Sequence, residues 1–193
     1  MTDAEAKQQF LCDVDRLLES QGFRRRRKDQ QWRRQLDADN ELWVHINFGK
    51  VVVNPSVGVN YLDLSTLLPK DVAPVTNVMT MLGTIAPPSD IYTFDEGGAR
   101  VSRDLENFGL PFLSQLTDRA FVIDRLKGNV VADWPTISYS HRIRLLPLLV
   151  ANEGETQEAC GLVQRFASES LDRDQILPLY PVFAAAFSER FVC

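Results

Sequence analysis

Apolar residues along this chain change their spacing twice, and each change predicts a different kind of element. Phe10, Val14, Leu17 and Leu18 fall at i, i+4, i+7 and i+8, one stripe at a 3.6-residue period. This predicts an amphipathic helix over residues 3–20, capped by Thr2 or Asp3. Gly22 supplies a left-handed residue just past its end, and Phe23 anchors the exit into the core. The period then drops to two. A first strand is expected within Arg27 to Leu36, at a sheet edge, followed by a turn at Asp37-Ala38-Asp39-Asn40. The next strand places Leu42, Val44, Ile46 and Phe48 on one face and Trp43, His45 and Asn47 on the other. Gly49-Lys50 makes a tight turn. A third strand places Val51, Val53, Val57, Val59 and Tyr61 opposite Val52, Asn54, Ser56, Gly58 and Asn60. Pro55 marks a bulge or an edge segment within it. Together these form an antiparallel meander with one buried face.

Beyond residue 63 the pattern turns mostly helical. A short helical turn at 64–68 stops at Pro69, and a helix is expected over 71–85 with Val75, Val78, Met79 and Leu82 as its stripe. Ile91 to Phe94 reads as a fourth strand and Asp95 to Gly98 as a turn. A helix over 101–108 ends at Gly109, and another over 111–127 closes at Gly128. Asp133-Trp134-Pro135 is a break. Residues 140–151 and 156–169 form a helical hairpin, and a last helix over 176–191 is interrupted by Pro178 and Pro181. The expected class is α+β: a small antiparallel meander sheet packed by an N-terminal helix, then a helical C-terminal half with an αα-hairpin. Residues 1–128 would be the α+β domain and 129–193 a helical extension, or the two one continuous domain. The hairpin occurs once, so no solenoid is expected.

Composition alters this picture little. At 193 residues, with 45% hydrophobic and 24% charged positions, the chain has the balance of a folded soluble protein. No apolar run approaches the roughly 18 residues of a membrane span, and no basic-then-apolar leader opens the chain. The expectation is a cytoplasmic protein without a membrane partner. Cys12, Cys160 and Cys193 are odd in number and scattered. They read as reduced thiols, Cys12 and Cys160 in the core, with neither a disulfide framework nor zinc spacing. Charge is more informative. Gly22 to Leu36 holds seven cations and one anion, +6 locally, so with a net charge of −5 the rest of the chain carries −11.

The basic run is the main candidate for recognition. Arg24, Arg25, Arg26, Arg27 and Lys28, with Trp32, Arg33 and Arg34, could bind nucleic-acid phosphates, Trp32 offering a stacking face. They could equally bind an acidic protein surface or fold back on the chain's own carboxylates. Strand alternation sends only about half of them to one side, and a solvated edge strand is the plainer reading. His45, between Trp43 and Asn47 on one face, could act as a base or ligand in a shallow groove; a solvent-facing polar residue is the plainer reading. His141 reads as a helix-start residue. There is no nucleophile elbow, phosphate loop, dinucleotide fingerprint or metal spacing, so neither an enzyme nor a cofactor is expected. Asp95 and Glu96 read as solvated turn charges. Glu153, Glu155 and Glu158, with Glu169, Asp172 and Asp174, would suit a basic partner such as a nuclease toxin; ordinary helix solvation is the plainer reading.

Several of these features occur together in one known group. A leading helix runs into Gly22-Phe23 and basic residues, then Gln31-Trp32-Arg33, Leu42-Trp43-Val44-His45-Ile46-Asn47-Phe48, Val57-Gly58-Val59 and Leu110-Pro111-Phe112-Leu113. Over residues 5–128 the chain resembles the DUF4304 family, bacterial proteins of unknown function. The resemblance implies no catalytic residues. Small bacterial proteins of similar architecture serve as immunity proteins beside secreted toxins, so it implies a protein-binding role, an immunity protein or antitoxin in its most concrete form.

Overall fold

The computed structural model describes residues 3–26, 30–50, 52–72, 74–87, 91–93, 97–128, 138–171 and 180–193. The fold is α+β. The chain divides into two compact units, each discontinuous in sequence: Met1–Asn60 with Val78–Thr117, and Tyr61–Asn77 with Asp118–Cys193.

In the first unit, helix α1 (Asp3–Ser20) buries Phe10, Val14 and Leu18 completely. Gly22 ends it at φ +80°, a conformation a side chain would resist, and the Phe23 N–H donates back to the Leu18 carbonyl at 2.9 Å. The sheet then runs β1 (Arg24–Arg26), β2 (Gln31–Gln35), β3 (Asn40–Phe48), β4 (Val52–Tyr61) and β5 (Asn77–Met81), paired in that order. β6 (Tyr92–Thr93) pairs antiparallel with the start of β4, Val52 opposite Thr93 and Val53 opposite Tyr92. The strand expected within 27–36 is present as β2, but the sheet edge lies further out. The arginines of 24–26 form a strand of their own, while Arg27, Lys28 and Asp29 lie outside the described residues.

Two expectations fail here for identifiable reasons. Residues 71–85 are not one helix. They form a 3₁₀ turn at Lys70–Val72, then β5, then a four-residue helix α2 (Leu82–Ile85). Pro74 disfavours a helix interior by removing a hydrogen bond, and buried Val78 and Thr80 alternate with exposed Met79 and Met81 at the strand period. Gly109 does not stop a helix either. Helix α3 (Gly97–Asp104) passes through a π-turn at Leu105–Gly109 directly into α4 (Leu110–Leu116). The Leu110 N–H reaches back five residues to the Leu105 carbonyl, just before Pro111, which has no N–H to offer. A methyl group at Gly109 would meet Leu105, Leu82 and Val57 at 3.0–3.4 Å, so this glycine serves close packing. Gly97 and Gly98 lie in α3 rather than in a turn. Gly98 leaves no side chain where the Phe10 backbone of α1 crosses.

The stretch expected to be one helix over 111–127 ends at Leu116 in the first unit, and α5 (Arg119–Lys127) starts afresh in the second. Asp118 caps it, accepting from the Phe121 N–H at 3.1 Å. Helices α6 (Tyr139–Asn152) and α7 (Thr156–Leu171) make the expected hairpin, turning at Gly154 with φ +91°. Every residue from Leu145 to Ala151 is buried, so α6 is covered nearly all round. Helix α8 (Tyr180–Phe191) has Pro181 in its first turn, where the missing N–H costs nothing, and buries Tyr180, Phe183 and Phe187. The expected break at 133–135 and Pro178 lie outside the described residues. The thiol expectation is corrected. Cys160 and Cys193 are joined by a disulfide across 33 residues of sequence, with Cα atoms 5.5 Å apart, and Cys12 is exposed. Only the return of α8 along α7 brings the two sulfurs together, and no spacing rule encodes that.

Candidate interaction surface

Strand alternation separates the sheet of the first unit into two unlike faces. Cross-strand register aligns Arg25 with Trp32 and Val44, and Arg34 with Leu42. This row, with Ile46, Val57 and Val59, is the packed face. Phe10 of α1 meets Phe48 edge-on at a ring distance of 5.4 Å, and Gly109 lies against Val57. Asp15 of α1 accepts from Arg25 at 2.7 Å and from the Trp32 indole at 2.7 Å, and the Arg25 guanidinium lies 5.3 Å over the Trp32 ring. Arg25, Asp15, Gln8, Glu19, Phe23 and Arg24 line a polar cleft of about 690 Å³.

The opposite face is exposed at its margins, while Trp43, Ser56 and Gly58 at its centre are buried. It carries Arg24 and Arg26, then Gln31, Arg33 and Gln35, then Glu41, Trp43, His45 and Asn47, then Asn54, Ser56, Gly58 and Asn60, then Met79 and Met81. Every exposed residue of strands β1 to β5 belongs to this set. Register brings Arg24, Arg33 and Trp43 into one row and Arg26, Gln31 and His45 into the next. Arg33 pairs with Glu41 at 2.9 Å, and Asn60 donates to the same carboxylate at 2.9 Å, so the acidic group is spent locally. Trp43 packs against Gly58; a methyl group there would stand 2.6 Å from its ring and 2.5 Å from the Val78 carbonyl oxygen. Among the described residues neither Arg24 nor Arg26 has an ion-pair partner, and both are exposed.

Two assignments change. Trp32 is fully buried with its N–H satisfied, so it offers no stacking face. Arg25 is held by Asp15, and Arg34 shares the packed-face row, its chain passing 3.8 Å from the Gly22 Cβ position. The acidic candidates lie in the second unit. Glu153 stands 4.0 Å from Arg119, Glu158 pairs with Lys127 at 2.6 Å, and Glu155 is exposed.

One part of the surface escaped sequence reasoning. Val53, Asn54, Pro55, Met81, Gly83, Thr84, Ile91 and Tyr92 line a notch of about 330 Å³. Met81 and Ile91 in its lining are 57% and 67% exposed, and Met79, two residues before Met81 on β5, is 37% exposed. A helix over 71–85 places Met79 in a core stripe. Pro74 was the signal that argued otherwise.

The second unit contains a polar cluster of another kind. Arg119 holds Asp63 through two bonds of 2.7 and 2.6 Å, Asn152 adds a third at 2.8 Å, and Arg119 lies 5.4 Å over the Tyr61 ring. Burial alone would push the Asp63 carboxyl up. Arg119, the Leu64 N–H and Asn152 outweigh it and hold the group below the usual carboxylate range. Burial raises the Tyr61 hydroxyl well above its ordinary value. His141 sits 3.0 Å from the Ser138 hydroxyl, which accepts from its backbone N–H at the start of α6, and burial with nearby Arg144 pushes its imidazole down. These groups stabilise helix ends and the 61–77 segment. Among the described residues no group of three or more His, Cys, Asp and Glu side chains is placed to hold a metal ion, and no helix is long and apolar enough to cross a membrane.

Comparison with family models, curated proteins and solved structures finds no match.

Proposed function

We propose that the chain is a non-enzymatic protein-binding module that recognises its partner through the face of the sheet opposite α1. The observation that carries this reading is the concentration of every exposed strand residue on one face, Arg24, Arg26, Met79 and Met81 among them, whose sole described carboxylate is already paired. Interfaces favour Arg and Met, and flexible Met side chains adapt to a partner's shape. In its most concrete form the module is an immunity protein or antitoxin that neutralises a cognate toxin, a reading that also draws on the DUF4304 resemblance. It acts in the cytoplasm, where a disulfide such as Cys160–Cys193 would be redox-responsive rather than permanent.

A nucleic-acid accessory role has support from Arg24 and Arg26 alone. Trp32 is withdrawn into the core, which removes the stacking platform that role would use.

The test is affinity capture from the native host with and without nuclease, followed by coexpression of the captured protein with and without this chain. A partner that survives nuclease, and whose toxicity the chain relieves, is the expected result. Capture that vanishes with nuclease would overturn the reading.

A further inference from the structure

The sheet face opposite α1 is polarised from edge to edge. At β1 stand Arg24 and Arg26, exposed and without ion-pair partners among the described residues. At the other edge, Met81 of β5 and Ile91, just before β6, line the notch, and Met79 stands exposed on β5. Four strand spacings separate β1 from β5, about 19 Å at roughly 4.8 Å each. Between them the Arg33–Glu41 pair cancels, so the net charge of the face comes from its basic edge.

The notch suits an apolar side chain. Pro55 has no N–H in its wall and Gly83 no side chain. At about 330 Å³ it lies near the lower limit of about 300 Å³ for small-molecule sites, enough for one anchoring residue. Met81 at its rim can fold over whatever enters.

We infer that this face takes a single acidic protein segment: an apolar anchor such as Phe or Leu fills the notch, and carboxylates about 19 Å away pair with Arg24 and Arg26. Extended chain covers that distance in about six residues at roughly 3.3 Å each. A phosphate backbone would use the basic edge but not the notch. An apolar peptide would use the notch but not the arginines. Only a segment carrying both complements the whole face. This inference rests on the protein-binding reading and names the chemistry of the partner.

The experiment selects a displayed library of random peptides, about 14 residues long, on the full chain, then measures the enriched peptides by fluorescence anisotropy. The expected result is a pattern of one large apolar residue with two or more carboxylates about six positions away. Binding should weaken at least tenfold in Met81→Glu and in Arg24→Glu/Arg26→Glu, and the second variant should also lose salt dependence. Both variants lie on the surface, and melting like the parent confirms that they fold. No enrichment, enriched peptides without carboxylates, or unchanged binding by both variants would each overturn the inference. So would tighter binding of a 20-nucleotide single strand through the same arginines, or a dimer in sedimentation that Met81→Glu dissociates, since a second copy would then cover the face. If a captured protein binds the parent and both variants alike, this inference fails while the protein-binding reading stands.

Discussion

Arg24, Arg25 and Arg26 are neighbours of one residue type, yet the two faces of the sheet use them for opposite ends. Arg25 turns inward, where Asp15 holds it at 2.7 Å and Trp32 lies beneath it. Arg24 and Arg26 turn outward and hold no carboxylate among the described residues. Residue identity did not set these roles; strand parity did. The inward arrangement recurs in the second unit, where Asp63 grips Arg119 and Arg119 lies over Tyr61. In both places a carboxylate and an aromatic ring stabilise an arginine taken out of water.

The contrast can be broken most directly at Trp32. Trp32→Ala should cost about 3–5 kcal/mol in a denaturant titration, because it empties a fully enclosed site. A cost below about 1 kcal/mol would return Trp32 to the pool of binding residues. Asp15→Ala comes next, at about 1–3 kcal/mol, since it strips partners from both Arg25 and the indole N–H. Gly58→Ala should cost about 1–3 kcal/mol, because the Val78 carbonyl and the Trp43 ring must give way. A neutral result would mean that Trp43 is not pressed against the sheet.

Asp63→Asn sharpens the parallel between the units through pH. The folded carboxyl titrates below its unfolded value of about 3.9, so its contribution is complete above that pH and is lost as pH falls through the folded value. The variant should be less stable at pH 7 and show a flatter stability curve between about pH 2 and 5. A curve parallel to that of the parent would detach Asp63 from acid sensitivity. The smallest stability change belongs to Arg24→Glu/Arg26→Glu, within about 0.5 kcal/mol, because nothing in the fold leans on them. A loss comparable to that of Asp15→Ala would erase the distinction between the faces.

Much of this division was legible in the amino-acid sequence. The α1 stripe, the two-residue alternation of β3 and β4, and the α6–α7 hairpin all follow from local periodicity, and periodicity is what burial against a neighbour imposes. The clustering of Arg24, Arg33, Trp43 and His45 was legible only in part, because cross-strand register decides which residues share a row. Pro74 and Gly109 were visible, yet each carried two meanings that only the surrounding packing separates. The notch at Met81 and Ile91 and the Cys160–Cys193 bond come from residues distant in sequence meeting in space, and no single segment signals them.

The interleaving of the two units has a consequence on the ribosome. The 61–77 segment belongs with helices made later, and Arg119 follows Asp63 by 56 residues. At about 5–20 residues per second, the Asp63 carboxylate waits in water for roughly 3–11 s before its guanidinium exists. Asn152, 89 residues on, arrives later still. No single cut of the gene yields either unit whole: a fragment ending at Thr117 keeps Asp63 without Arg119, and one starting at Asp118 keeps Arg119 without Asp63.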